Sequence, residues 1–163
     1  MTSQMSLIVD DEPVSLPERV VGFTGTREGM SEFQSKEFRD RMIMLKVGGS
    51  KMLHHGGCIG ADEDAHYMAY DLGFLTYIYP SDIEDTQAAL FKFTITKTYK
   101  ARQPLDRNHD IVNVCDILIA TPLQEYEVHR SGTWATIRYA RKKDKDHIII
   151  YPSGRTEVIF LND

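Results

Sequence analysis

Three short stretches of the chain combine small residues with hydroxyl groups: Gly25-Thr26-Arg27, Gly56-Gly57-Cys58-Ile59-Gly60 and Ser131-Gly132-Thr133. Each sits where a short apolar run gives way to helical spacing. Glycine lets a backbone come close to a ligand, and the first N–H groups of a helix have no intrahelical acceptor. The helix dipole adds a preference for negative charge, so the chemistry these junctions offer is anion binding, with phosphate foremost. Gly25, Gly57, Gly60, Ser131, Gly132 and Thr133 are therefore the candidate cradle, with Thr26 beside them. Arg27 is either a bidentate phosphate partner or a surface arginine paired with a nearby acid. Arg107 falls near the start of a predicted helix, where a cation opposes the dipole; its partner is a carboxylate or a ligand phosphate. Asn108 either meets a ribose hydroxyl or caps that helix.

Carboxylates are the second group able to do chemistry. Asp62, Glu63 and Asp64 follow the second glycine stretch, where acids complement a helix dipole and cap amides. Asp62 and Arg107 are the two candidates for a catalytic role. Glu125 and Glu127 precede Ser131, either reaching the pocket or lying in solvent. His66 stands one helical turn after Asp62, yet His54, His55 and Cys58 complete no zinc spacing, so a packed, hydrogen-bonded ring is expected and no metal. Trp134 reads as core. No cofactor is expected.

Elements must bring these residues together. Arg19–Thr24, Lys51–His55, Leu75–Tyr79, Asp116–Ala120 and His147–Tyr151 read as strands, with Glu157–Leu161 a sixth at the edge. Helices are expected from the Ser31/Gln34 capping box to Leu45, over Glu63–Leu72, Leu105–Val114 and Trp134–Lys145. The alternation predicts one Rossmann-like α/β domain, with a largely parallel sheet of five or six strands and helices on both faces. In such a sheet the three junctions fall at the carboxyl edge of the strands, where ligands bind. Residues 1–18 read as an extended lead-in, 19–163 as the domain, and 81–104 as a lid or insertion of unresolved structure.

Composition narrows the classes. The chain has 163 residues, 42% hydrophobic and 26% charged, with a net charge of −5. No apolar run approaches the roughly 20 residues that span a bilayer, and no secretory leader is recognisable, so a cytoplasmic protein is expected. Two cysteines make no disulfide framework. The acidic balance counts against nucleic acid as a partner, and the cluster of Arg138, Arg141, Lys142, Lys143 and Lys145 reads as a solvated helix end. Neither G-x-G-x-x-G nor a Gly-Lys-Ser/Thr P-loop occurs.

Taken in order, Gly22-Phe-Thr-Gly-Thr-Arg27, His55-Gly-Gly-Cys-Ile-Gly-Ala-Asp62 with Ala65-His66, Tyr79-Pro80, Arg107-Asn108 before Asp116-Ile-Leu-Ile-Ala120, and Ser131-Gly-Thr133 resemble one pattern. It is similar to that of the SLOG superfamily, the Rossmann-like group of SMF/DprA, LOG-type and YspA-like proteins, over residues 19 to 152. The resemblance implies a nucleotide or nucleotide-derived ligand at the carboxyl edge of the sheet, bound by a sensor or sequestering module, with homo-oligomers as a further expectation. LOG-type hydrolases of N-glycosidic bonds carry a glutamate in P-G-G-x-G-T-x-x-E. Gly132-Thr133 match its Gly-Thr, while Thr136 stands at the glutamate, and threonine holds no charge to activate water. A nucleotide-processing hydrolase or transferase, with Asp62 or a loop glutamate as substitute, is the alternative. DprA-like binding of single-stranded nucleic acid is a third.

Overall fold

The computed structural model describes residues 6–9, 12–15 and 18–161. Two short strands, β1 (Ser6–Val9) and β2 (Glu12–Ser15), pair antiparallel. The rest of the expected lead-in before Glu18 lies outside the described residues. The domain proper begins with β3 (Val21–Gly25), α1 (Glu32–Val47), β4 (Met52–His55), α2 (Ala61–Asp71) and β5 (Leu75–Ile78). After two 3-10 turns come β6 (Lys97–Thr98), α3 (Pro104–Val114), β7 (Ile117–Thr121), α4 (Gly132–Lys142), β8 (Asp146–Ile150) and β9 (Thr156–Ile159).

The main sheet has seven strands in the order β6-β5-β4-β3-β7-β8-β9, parallel throughout except for β9 on β8. That is one strand more than the upper expectation. The extra strand, β6, has two residues inside the 81–104 segment, too short for any periodic signal. β9 is the edge strand expected over Glu157–Leu161, and it returns antiparallel after the Pro152–Gly154 turn.

Burial follows the period-two rule of a sheet covered on both faces. Along β7 every residue is buried. Ile117 and Ile119 face a cluster with Phe23, Phe38, Met42 and the alanines of α2. Leu118 faces Ile111, Cys115 and Ala140, and Ala120 faces Trp134 and Ile137. So α1 and α2 cover one face while α3 and α4 cover the other. The capping box forms as expected: Gln34 N–H donates to Ser31 Oγ at 3.0 Å and Ser31 N–H to Gln34 Oε1 at 2.9 Å. Gln34 Nε2 also donates to the Pro122 and Ile150 carbonyls, joining the start of α1 to the ends of β7 and β8. Trp134 is buried.

Strand order reverses at β3. The chain leaves β3 toward β4 and β5, then crosses to β7 and β8 on the other side. Between the carboxyl ends of β3 and β7 the following connections diverge to opposite faces, which opens a crevice.

Candidate functional site

A cleft of about 380 Å³ occupies that crevice. The end of β3 and its turn supply Thr24, Gly25, Thr26 and Arg27; the glycine stretch after β4 supplies Gly56 and Cys58, and α2 supplies Asp62. Opposite them, α3 contributes Leu105, Arg107, Asn108 and Ile111, and the connection into α4 contributes Gln124, Arg130, Ser131, Gly132 and Thr133. Nine of the eleven residues expected at a ligand site thus share one cleft; Gly57 and Gly60 do not line it.

Those two glycines answer a packing demand instead. Gly57 has φ +68° and its N–H donates to His55 Nδ1 at 3.0 Å, so this amide is committed inside the protein. Gly60, the residue before α2, has φ +90°, and a Cβ there would overlap the Arg27 carbonyl. Ala61 N–H donates to Thr26 O at 2.9 Å, so the β3 turn and the start of α2 are clamped together. Only glycine combines this φ with so close a backbone approach. Both glycines, expected in the phosphate cradle, are thus placed beside the cleft and not on its lining.

The α4 end is built differently. Ser131 Oγ accepts from Trp134 N–H at 3.2 Å and Ser131 O from Ala135 N–H at 2.8 Å. The Ala135 bond is the first i→i−4 bond of the helix, so of the four amides from Ser131 to Trp134 that lack an intrahelical acceptor, the Trp134 amide is capped and those of Ser131, Gly132 and Thr133 remain. The helix begins at Gly132, two residues before the apolar spacing at Trp134 predicts. A Cβ on Gly132 would meet nothing within 4 Å, so this corner is open.

Arg107 is buried, with 7% of its surface exposed. Its Nη1 donates to the Gly56 and Tyr79 carbonyls, both at 3.0 Å, and its Nε to Asn108 Oδ1 at 2.8 Å. Of the partners expected for it, the Asp62 carboxylate lies nearby and acts on it electrostatically, while the hydrogen bonds of its side chain go to the two carbonyls and Asn108. Asn108 orients the arginine, while Gln103 Oε1 caps α3 by accepting from Leu105 and Asp106 N–H.

Asp62 is buried in the same floor, accepting from Cys58 N–H at 3.1 Å. Burial pushes its carboxyl up to about 6, against the opposing pull of Arg107 and the Cys58 amide. Cys58 meets Arg107 Nη2 at 3.5 Å, and burial raises its thiol. Two polar atoms at this edge, Thr121 Oγ1 and Gln124 Oε1, are buried without a partner.

Behind the glycine stretch runs a chain of hydrogen bonds whose direction can be read. A backbone amide only donates, so Gly57 N–H makes His55 Nδ1 an acceptor. His55 therefore carries its proton on Nε2 and donates to His66 Nδ1 at 2.9 Å. His66 in turn donates from Nε2 to Thr94 Oγ1 at 2.7 Å, and that hydroxyl donates to Phe91 O at 2.5 Å. Burial lowers His66 to about 4 and holds His55 well below its usual value, which keeps both rings neutral. The expected packed role for His66 fits this placement. Among the described residues, no group of three His, Cys, Asp or Glu is placed to hold a metal ion.

The same contacts define the 81–104 segment. Ile59 N–H donates to Thr86 O and Ala88 N–H to Gly57 O, both under 3.0 Å. Pro104, at the end of this segment, lines the cleft, while Thr86 and Ala88 buttress the glycine stretch from behind. Glu125 and Glu127 also turn elsewhere: Glu125 meets Ser153 and Arg155, and Glu127 pairs with Arg138 and Arg141. Neither of the loop glutamates weighed as a substitute for the motif carboxylate lines the cleft. Thr136 donates to Gly132 O and is buried outside it. Arg130, Gln124 and Cys58 are cleft residues that sequence reasoning did not single out; adjacency to Ser131 was the available signal for Arg130.

No family model matches the chain, and no curated protein matches it. Solved structures do. A molybdenum cofactor binding protein from the phototrophic bacterium Rippkaea orientalis superposes with a TM-score of 0.63 at 20% identity, over 84% of this chain and 78% of its own. The molybdenum cofactor carrier protein of Chlamydomonas reinhardtii gives 0.57 at 17% identity, over 82% and 76%. TM1055, a structural genomics target, gives 0.56 at 13% identity, over 79% and 72%. These likenesses establish a single Rossmann-like α/β domain as the architecture of this chain.

Proposed function

We propose that the protein binds a phosphate-bearing, nucleotide-derived small molecule in the cleft between β3 and β7, as a sensor or sequestering module of the SLOG type. The observation that carries this is the start of α4, where the Gly132 and Thr133 amides and the helix dipole face an open corner of a cleft at the switch point. Buried Arg107 supplies positive charge, and Arg27 and Arg130 flank the opening. Two structural neighbours are described as binding or carrying a molybdenum cofactor, so that cofactor belongs in the ligand panel. With no metal-holding group among the described residues, it would be held here through its anionic part.

Titration calorimetry with adenosine, AMP, GMP, CMP, UMP and the molybdenum cofactor tests the proposal. Gly132→Asp is the informative variant: the added carboxylate has room and suits a helix start, yet repels an anion. A phosphate-bearing ligand that binds the wild type and loses affinity at least tenfold in Gly132→Asp supports the site. Equal binding to both proteins rejects it.

One observation favours a second reading, a nucleotide-processing enzyme. Asp62 lines the cleft, and a carboxyl titrating near 6 suits a general acid or base. Release of free base from a nucleoside monophosphate, lost in Asp62→Asn, distinguishes it from binding alone.

A further inference from the structure

The anion seat takes up only part of the cleft. A phosphate is far smaller than a cavity of about 380 Å³, which has the size of a site for a whole small molecule. The remaining lining combines two kinds of group. Leu105 is 51% exposed and Leu123 49%, and among the described residues no other exposed large apolar side chain lines the cleft. A single exposed leucine is ordinary on a protein surface, but these two stand on different walls of one cavity. Leu105 lies in the first turn of α3, and Leu123 in the connection that leaves β7.

Each leucine has a carboxamide beside it. Asn108 stands about one helical turn after Leu105, on the same face of α3, and Gln124 follows Leu123 directly. Both amides line the cleft with the leucines. Asn108 Oδ1 accepts from Arg107 Nε at 2.8 Å, which fixes that amide and leaves its Nδ2 as a donor. Gln124 Oε1 is shielded from solvent and has no hydrogen-bond partner, a state that costs free energy. The last torsion of a glutamine is soft and roughly two-fold, so a half turn exchanges this oxygen with Nε2. One wall thus offers a donor and the other an acceptor that lacks one, each next to an apolar surface. A hydrocarbon tail would cover the leucines and strand the amides, and a bare sugar would do the reverse. A flat heterocycle suits both, because its faces are apolar and its edge carries donors and acceptors. Asparagine and glutamine amides are common readers of such edges.

We infer that this end of the cleft holds a nucleobase or a similar flat heterocycle, its faces against Leu105 and Leu123 and its edge met by the amides of Asn108 and Gln124. These residues determine specificity, while the start of α4 and the arginines serve the anion. The inference rests on the proposed nucleotide site and adds to it the residues that choose among bases.

The test compares ribose 5-phosphate with AMP, GMP, CMP and UMP by calorimetry at one ionic strength. The sugar phosphate presents the same anion without a base. The tightest nucleotide should bind at least about thirtyfold better than ribose 5-phosphate, and the four nucleotides should differ among themselves by at least about tenfold. Leu105→Ala and Leu123→Ala, at half-exposed positions, should each lower the first ratio at least about fivefold and leave ribose 5-phosphate binding within about twofold of wild type. Gln124→Leu keeps an apolar wall without the amide, and should narrow the spread among the four nucleotides to below about threefold. A wild-type ratio near one, or a ratio unmoved by both leucine variants, overturns the inference; ribose 5-phosphate binding that is lost in Gly132→Asp then still upholds the anion site. A spread unchanged in Gln124→Leu overturns the reading of the edge by that amide. Binding of none of the five ligands rejects the anion site and the base site together.

Discussion

Replacing Asp62 with asparagine should stabilise the protein at neutral pH and leave its stability at pH 4 nearly unchanged. The side chain is buried, and burial raises its carboxyl from 3.8 to about 6 despite the pull of Arg107 and the Cys58 amide. A carboxyl whose folded value is raised binds its proton more tightly in the folded state. Its contribution is therefore most favourable below about pH 4 and declines as pH rises through 6, where the folded chain must hold a buried charge that the unfolded chain hydrates. The difference of 2.2 between 6 and 3.8 corresponds to about 3 kcal/mol above pH 7. Asparagine keeps an oxygen for the Cys58 amide and carries no charge, so it resembles the protonated acid at every pH. Urea unfolding of both proteins from pH 4 to 8 should show their difference grow from near zero to about 3 kcal/mol, or about 6–12 °C in Tm at the alkaline end. The difference between the proteins is what matters, because the histidines move the absolute curve of both. A difference that is flat across pH, or a variant less stable than wild type at pH 8, would refute the reasoning.

Other outcomes follow from the same geometry. Gly60→Ala should lose at least about 2 kcal/mol in urea unfolding, since it places a Cβ at φ +90° against the Arg27 carbonyl, whereas Gly132→Ala, in open space at a helix start, should be neutral or stabilising by up to about 1 kcal/mol. His66→Ala should cost about 2–4 kcal/mol through lost packing and unpartnered groups at His55 and Thr94, and His66→Gln, which can accept at one end and donate at the other, should recover part of it. Nitrogen NMR should show both His55 and His66 as the Nε2–H tautomer; a proton on Nδ1 of either ring contradicts the chain. His54 and His66, both lowered to about 4, stay neutral in the folded state while the unfolded chain takes up protons below about 6.5. Stability should therefore fall with acidification, on the order of 2 kcal/mol for each ring by pH 5, as read from urea midpoints.

The alternation of apolar runs with helical spacing was enough to place β3, β4, β5, β7 and β8 and all four helices, because these strands are wholly or partly buried and carry apolar runs. Helix starts carry their own signals. Ser31 with Gln34 is such a signal, and so is Ser131, whose side chain caps α4. The cleft was legible for the same reason: in a parallel sheet every strand-to-helix turn lies on one edge, so Thr26, Arg107 and Thr133 converge without contact information. What local sequence could not carry was the use of each glycine. Gly57 and Gly132 look alike in the chain, yet one spends its amide on His55 and the other opens onto the cleft. The distinction depends on Ile78 and on the 81–104 segment, whose two-residue β6 and short 3-10 turns leave no periodicity to read. The turning away of Glu125 and Glu127 was equally hidden, since their partners Ser153, Arg155, Arg138 and Arg141 are set by the tertiary packing around α4 and the turn after β8.

The row from Gly57 to Phe91 begins with a group that can only give a proton and ends with one that can only receive. Every member between them must do both, one on each side, and in the same sense. That is a rule of syntax for substitution. Lysine at position 66 fails because it has nothing to accept with, and glutamate fails when ionised because it has nothing to give. Threonine at 94 can become serine but not valine. Positions 66 and 94, from distant parts of the chain, are thus each confined to side chains that both accept and donate, although neither one lines the cleft.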